Sequence, residues 1–181
     1  MGIFRKAEGE PLAVTMAAVK LGDRFLSVGV RDPALVAVLA AKAGLTGTAC
    51  AVDADEVAVT RAAAAIEAAG ALADVTRAPW GTWPYGAGSF DVALIRDVLP
   101  ALTAGDRASA VAEVLRVLRP GGRVVVIDGA ARGRFEWIKG GSAAGPAAGM
   151  ATQALKDAGF AAVRVLAETD GVSYVEGIKR A

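Results

Sequence analysis

The sequence predicts an α/β protein built on a doubly wound, mostly parallel, seven-stranded sheet. Short apolar runs alternate with helix-like segments five times along the chain, which is the order expected of β-α-β units with right-handed crossovers. Residues 124–127 form an unbroken β-branched run, typical of a central parallel strand buried on both faces. The last two apolar runs, 160–167 and 172–179, are joined by four residues, which predicts an antiparallel hairpin at the end of the sheet.

The length of the chain suits a single domain. Its 181 residues are enough to bury a core without covalent staples, so we predict one domain over residues 1–181. Residues 1–22 form an N-terminal extension, in which a polar start is followed by an apolar helical stretch from Pro11 to Lys20. Two roles are open for this helix: it packs against the flank of the sheet, or it covers a ligand cleft.

Charge and composition exclude several classes of protein. Lysine and arginine number 20 against 19 acids, and this net charge of +1 argues against a broad nucleic-acid-binding surface. No apolar run approaches the about 20 residues of a membrane span, and the first residues do not read as a signal peptide. With no histidine and one cysteine, Cys50, no zinc site is expected, and Ser–His and Cys–His catalysis are excluded. We expect a cytoplasmic protein that binds no metal.

Residues 24–55 have the pattern of a nucleotide-binding β-turn-α-β unit. An apolar strand ends at Gly29, and Asp32 followed by Pro33 is a helix-start signal. A second apolar strand then delivers Asp53 at its tip, close to the about 20 residues after the glycine at which such folds place a ribose-binding acid. The residues therefore predict a nucleotide site at the carboxyl ends of these two strands.

The remaining elements follow from apolar periodicity and from glycine and proline stops. The predicted helices cover residues 11–20, 33–43, 56–69, 106–119 and 150–158. The predicted strands cover residues 25–28, 48–52, 71–75, 90–95, 124–127, 160–167 and 172–179.

Two loops have an unusual composition. Residues 76–89 concentrate Trp80, Trp83 and Tyr85 in a chain that is only 6% aromatic. These rings either contact a ligand or cover the end of the sheet. Residues 129–149 form a glycine-rich connection that is longer than most, and loops of that length are usually functional or disordered.

The segments 89–94 and 113–126 resemble the class I S-adenosylmethionine-dependent methyltransferases, in particular the small-molecule type that includes quinone-biosynthesis enzymes. The likeness lies in Ser-Phe-Asp before the fourth strand and in Leu-Arg-Pro-Gly-Gly-Arg before the fifth strand. It extends over about residues 24–180 and implies a Rossmann-like sheet with an antiparallel C-terminal strand. The Leu-Arg-Pro-Gly-Gly-Arg segment identifies the fold and says little about chemistry.

The resemblance implies a set of cofactor-binding residues and one weakened motif. The family has an acid and three glycines around the first turn, whereas this chain has Ser27 for the acid, and Arg31 and Pro33 for two of the glycines. Arg31 either crowds the methionine part of the cofactor or pairs with its carboxylate. The positions implied to bind S-adenosylmethionine are Gly29, Arg31, Asp53, Ala54, Asp74, Val75 and Arg96.

Methyl transfer makes few demands on side chains, because the sulfonium is already a strong electrophile and alignment can supply much of the rate. If the acceptor needs a general base, the candidates are Asp97, Tyr85 and Asp128. The candidate substrate-binding residues are Trp80, Trp83, Tyr85, Arg132, Arg134 and Trp137.

The leading hypothesis is a methyltransferase that acts on a small molecule with S-adenosylmethionine as cofactor. A second hypothesis is a methyltransferase-fold protein that has lost catalysis and serves as a binding or assembly partner, as the weakened glycine motif suggests. The apolar composition would suit a homodimer. A third is a nicotinamide-dependent Rossmann enzyme, which Asp53 permits but the absence of Gly-x-Gly-x-x-Gly disfavours.

Overall fold

A computed structural model describes residues 11–129 and 145–181. Its helices are α1 (Leu12–Ala17), α2 (Pro33–Ala43), α3 (Glu56–Ala68), α4 (Ala104–Val117) and α5 (Pro146–Asp157), with a 3-10 turn at Leu99–Ala101. Its strands are β1 (Arg24–Val28), β2 (Thr48–Asp53), β3 (Asp74–Arg77), β4 (Phe90–Arg96), β5 (Leu118–Gly129), β6 (Ala161–Thr169) and β7 (Val172–Ile178).

The seven strands form one sheet in the order β3-β2-β1-β4-β5-β7-β6. Strands β1 to β5 are parallel, and β7 runs antiparallel to both β5 and β6. The predicted doubly wound sheet with an antiparallel C-terminal strand is therefore confirmed. Val28 is level with Val52 on β2 and with Ile95 on β4, so the carboxyl ends of these three strands meet at one edge.

Helices cover both faces of the sheet. On one face α1 and α2 pack against a layer that includes Phe25, Leu94 and Ile127. On the other face α4 and α5 pack against Leu26 and Val126. Because the buried residues of α1 join the first of these cores, the N-terminal helix flanks the sheet, as the first of its two predicted roles requires.

Several element boundaries differ from the sequence prediction, among them the starts of β3, β5 and α5 and the end of α4. Strand β3 begins at Asp74 rather than at residue 71, because Gly70 takes a φ of +70° and the Ala71 N–H closes the end of α3 by donating to Ile66 O. Helix α4 ends at Val117, so Arg119 lies outside it, and Leu118 already pairs with Phe90 of β4.

The segment 89–94 that carries the family resemblance has a structural role at the amino edge of the sheet. The Asp91 carboxylate on β4 accepts hydrogen bonds from Arg24 Nε at 3.1 Å and from Arg24 Nη2 at 3.1 Å, in the forked geometry that favours arginine. Arg119 on β5 donates to the same carboxylate. Because both guanidinium groups favour its ionised form, the pKa of Asp91 lies well below its usual range. This cluster joins three strands.

Candidate active site

The carboxyl ends of four parallel strands bring the predicted site residues to one edge of the sheet. Gly29 follows β1, Asp53 ends β2, Arg96 ends β4 with Asp97 next to it, and Asp128 lies near the end of β5. Ligands in open α/β sheets bind outside this edge. The structure therefore groups these residues where a cofactor site is expected.

Asp53 is held by backbone donors from two different loops. Its Oδ2 accepts a hydrogen bond from Val30 N at 3.1 Å, and its Oδ1 accepts one from Asp55 N at 3.0 Å. The side chain is buried, yet it lines a cleft of about 220 Å³. A carboxylate has about four lone-pair sites, so each oxygen keeps capacity for a further donor. The carboxylate is therefore fixed in place and still able to bind a diol.

The cleft beside Asp53 is open despite the bulk of Arg31. Arg31 is exposed and contributes to the wall of the cleft without filling it. The other lining residues are Ala54, Asp55, Trp80, Val98, Ala101 and Leu102. A partly apolar wall opposite a fixed carboxylate suits a nucleoside, which has a flat base and a polar sugar.

A glycine is required at position 29 because the loop after β4 lies very close to this turn. Its φ is +88°, and a Cβ at this position would lie 2.3 Å from Val98 Cγ2 and 3.2 Å from Arg96 O. The loop after β4 therefore packs directly onto the turn after β1. In this structure the missing side chain makes room for Val98.

Asp97 and Asp128 lie side by side where β4 and β5 end. Asp97 has a left-handed φ of +52°, and its Oδ1 accepts a hydrogen bond from Gly129 N at 3.0 Å. Strained backbone of this kind concentrates at functional sites. Asp128 is fully buried, and within the described residues neither of its carboxyl oxygens has a hydrogen-bond partner. Burial, and next the charge of Asp97, raise the pKa of Asp128 to about 7.

Arg96 connects the turn after β1 to the loop after β4. Its Nη2 lies 3.2 Å from Asp32 Oδ2, and its Nε lies 3.5 Å from Asp97 Oδ2. Asp32 also caps α2, because its Oδ1 accepts a hydrogen bond from Leu35 N at 3.1 Å. The cation is thus placed between two carboxylates on the side of the turn away from Asp53.

The three aromatic residues of the loop 76–89 differ in position: one agrees with the ligand-contact interpretation and two agree with packing over the sheet. Trp80 lines the cleft, as expected of a ligand contact. Trp83 is buried in the core, and Tyr85 packs edge-on against Phe90 with ring centroids 5.1 Å apart. Burial raises the pKa of Tyr85, which disfavours the ionised form that a base would need. These two rings therefore pack over the sheet, as the second interpretation requires, and their contact with a substrate stays a prediction.

Glu113 and Arg116 on α4 hold this loop in place, a role that the sequence analysis missed. Glu113 Oε2 accepts a hydrogen bond from Trp83 N at 3.1 Å. Arg116, paired with Glu113 at 2.7 Å, donates through Nη1 to Tyr85 O at 2.8 Å. Both residues lie in the segment 113–126 that carries the family resemblance, which was the available signal.

Asp74 and Val75 are not brought to the cleft. They pair with Cys50 and Ala51 in the middle of β2, and Asp53 at the carboxyl end of β2 pairs with Arg77 instead. Asp74 instead lines a separate depression of about 520 Å³ together with Leu45 and Leu72. The reason is the later start of β3, which puts Arg77 rather than Asp74 level with Asp53.

Three of the predicted substrate-binding residues, Arg132, Arg134 and Trp137, lie outside the described residues. Within the described residues no helix is long and apolar enough to cross a lipid bilayer.

The fold and the fixed acid after β2 define a Rossmann-like protein of the nucleotide-binding class. The family described as "Methyltransferase domain" matches residues 26–126, which is more than half of the chain. The chain belongs to this family, and it is a class I S-adenosylmethionine-dependent methyltransferase. This assignment disfavours the nicotinamide-dependent alternative. No curated protein matches the chain in sequence.

Solved structures share the fold at low sequence identity. A SAM-dependent methyltransferase from Aquifex aeolicus is 20% identical with a TM-score of 0.77, over 93% of this chain and 88% of that one. A SAM-dependent methyltransferase from Methanosarcina mazei is 16% identical with a TM-score of 0.65, over 94% and 98% of the two chains. A SAM-dependent O-methyltransferase from Thermotoga maritima is 16% identical with a TM-score of 0.70, over 94% of this chain and 64% of that one.

Proposed function

We propose that this methyltransferase acts on a small-molecule acceptor, and that it binds the adenosine part of its cofactor in the cleft beside Asp53. The observation that carries the proposal is the buried Asp53 carboxylate, which faces this cleft with free lone pairs. The near balance of charges in the chain supports a small acceptor over a nucleic acid.

The residues of the cleft fit the adenosine half of S-adenosylmethionine. Asp53 would accept hydrogen bonds from the ribose hydroxyls, with Ala54 and Arg31 beside it in the wall of the cleft, and Trp80 and Leu102 would offer apolar surface to the base. The bound cofactor supplies an electrophilic methyl group. The protein contributes alignment of the acceptor and exclusion of water, which are the main sources of rate for such a transfer.

Asp97 is our proposed general base for acceptors that must lose a proton. Its side chain is 42% exposed at the carboxyl edge of the sheet, whereas Asp128 is fully buried and lines neither the cleft beside Asp53 nor the cavity beneath α1. We expect Asp97→Asn to slow methyl transfer to acceptors that must lose a proton, and to leave transfer to acceptors without such a proton unchanged. An unchanged rate with both kinds of acceptor would remove Asp97 from this role.

The test of the proposed site is calorimetric titration with S-adenosylmethionine and S-adenosylhomocysteine. Asp53→Asn should weaken both by about 10- to 100-fold, because a hydrogen bond to a charged group is worth about 1.5–3 kcal/mol. Asp74→Asn is the matched control: it removes an exposed acid of β3 away from the cleft and should leave both affinities unchanged.

Other results would contradict parts of this proposal. Absence of binding of either compound at millimolar concentration would defeat it. Binding without transfer to any of a panel of small-molecule acceptors would favour the binding-partner alternative. A loss of affinity in Asp74→Asn rather than in Asp53→Asn would move the site to the other edge of the sheet.

A further inference from the structure

The Asp32–Arg96 pair lines a second cavity next to the cleft. This cavity measures about 420 Å³ and lies beneath the start of α1. Its remaining lining residues are uncharged: Pro11, Leu12, Ala13, Val14, Ala34, Leu35, Val38 and Tyr174. Among the described residues that line it, Asp32 and Arg96 are therefore the charged ones.

The two cavities are separated by the turn after β1. Arg31 lines the cleft beside Asp53, whereas its neighbour Asp32 lines the cavity beneath α1. The two cavities therefore lie on either side of one turn, and a molecule that extends from Asp53 across this turn would meet the Asp32–Arg96 pair. The cofactor of the proposed function has such a second end, an α-amino acid with one ammonium and one carboxylate.

The pair has the charges and the free capacity to receive such an end. The side chains of Arg96 and Asp32 are 27% and 35% exposed, so neither is sealed in the core. Arg96 Nε faces Asp97 Oδ2 at 3.5 Å and Nη2 faces Asp32, and the five N–H donors of the guanidinium leave capacity for a further carboxylate. An amino acid that inserts between the two groups replaces one ion pair with two, so that every charge remains compensated.

The acid that the family motif has at the end of the first strand is absent from this chain. The resemblance places an acid where this chain has Ser27, but Ser27 is buried and its hydroxyl donates to Gly29 O at 3.0 Å. Its side chain is therefore engaged within its own turn. The nearest carboxylate that lines the second cavity is Asp32.

We infer, on the basis of the proposed function, that Arg96 binds the carboxylate of the amino-acid end of the cofactor and that Asp32 binds its ammonium group. The pair takes the place of the acid that β1 lacks. Arg96 and Asp32 are thus specificity-determining residues that distinguish a full amino-acid-bearing nucleoside from a bare one. The N-cap role of Asp32 through Oδ1 keeps its other oxygen, Oδ2, directed toward Arg96.

The test compares two probes by calorimetry: S-adenosylhomocysteine, and 5′-methylthioadenosine, a nucleoside thioether without the amino acid. The wild type should prefer S-adenosylhomocysteine by about 10- to 100-fold or more, as expected for charge-assisted hydrogen bonds. Arg96→Gln should lose most of this preference while keeping its affinity for 5′-methylthioadenosine within about threefold, which also shows that the variant is folded. Asp32→Asn, which retains a capping oxygen, should lose part of the preference in the same way.

The control variants separate this inference from the proposed function. Arg61→Gln removes an exposed arginine from α3 and should change neither affinity. Asp53→Asn should weaken both probes together. If the wild type binds neither probe, the proposed function and this inference fail together. If Arg96→Gln and Asp32→Asn keep the wild-type ratio of the two affinities, the inference alone is overturned.

Discussion

The carboxyl group of Asp128 is buried away from water. The charge of Asp97 raises its pKa further, and the charge of Arg107 partly offsets this effect. The nearby backbone N–H groups of Asp97 and Val98 favour the ionised form of Asp128 without forming hydrogen bonds to it, and burial outweighs their effect. A group that folding makes harder to ionise links the stability of the protein to pH.

The first residue-scale prediction concerns this linkage. The pKa of Asp128 is about 7 in the folded protein against 3.8 for an unperturbed carboxyl, so its protonated form stabilises the fold below about pH 4. That contribution is lost as the pH rises toward 7, by at most about 4 kcal/mol. We expect urea unfolding of the wild type to show this decline and Asp128→Asn, which mimics the neutral acid, to lack it.

Asp74→Asn serves as the control for this experiment, because Asp74 is exposed at the other end of the sheet. Its stability profile should follow that of the wild type. Parallel profiles for the wild type and Asp128→Asn between pH 4 and 8 would show that Asp128 is ionised in the folded state.

At the scale of elements, α4 determines the conformation of the aromatic loop through Glu113 and Arg116. Glu113→Gln keeps the shape of the side chain but removes the charge that Arg116 pairs with at 2.7 Å. We expect a loss of about 1–3 kcal/mol in the free energy of unfolding, because charge-assisted hydrogen bonds to two loop carbonyls depend on this pair. We also expect a red shift of tryptophan emission as Trp83 gains contact with water.

The matched variant is Glu67→Gln, an exposed glutamate on α3. It should change the free energy of unfolding by less than about 0.5 kcal/mol, as is usual for surface positions. Equal stability losses in Glu113→Gln and Glu67→Gln would show that the loop is held by other contacts.

Helices and strands whose ends are marked by residues within the segment were predictable from the sequence. The places that individual side chains take in the fold were not. Helix α2 has the predicted bounds, because Asp32, Pro33 and Gly44 mark both ends within the segment itself. The sequence does not distinguish Trp80 from Trp83, yet the backbone N–H of Trp83 donates to Glu113 and places its ring in the core. That contact spans 30 residues, and no local pattern encodes it.

The candidate site was predictable to a similar extent. Asp53 follows a buried strand, and its place at the carboxyl edge is a consequence of the parallel topology. Asp74 lies outside the cleft because β3 pairs with β2 in a register that puts Arg77 level with Asp53. The Asp32–Arg96 pair joins two distant loops, so its geometry emerges only when β1 and β4 lie side by side.

At the scale of the whole molecule, Asp91 joins β1, β4 and β5 at the edge opposite the site. Asp91→Asn should lower the free energy of unfolding by about 1–3 kcal/mol at neutral pH, because it leaves two arginines without their shared carboxylate. The pKa of Asp91 is lowered in the folded protein, so its contribution is present above about pH 4 and is lost as the pH falls further.

The measurement is denaturant unfolding of the wild type and Asp91→Asn at several pH values. The difference between them should narrow below about pH 4, because the unfolded wild type takes up a proton at Asp91 there while the folded protein still holds the carboxylate ionised. Asp74→Asn again provides an exposed acid for comparison. A difference that stays constant down to pH 2 would mean that the carboxylate charge does not contribute.

Strand β7 lies between β5 and β6, although it is the last of the seven strands along the chain. During synthesis on the ribosome, one edge of β5 therefore stays unpaired until residues 172–178 emerge. Until then β6 also has no neighbouring strand with which to pair. Unpaired edges of this kind invite pairing with other chains. A messenger truncated before codon 172 should therefore yield an aggregating product, even though every residue that lines the cleft beside Asp53 would already be present.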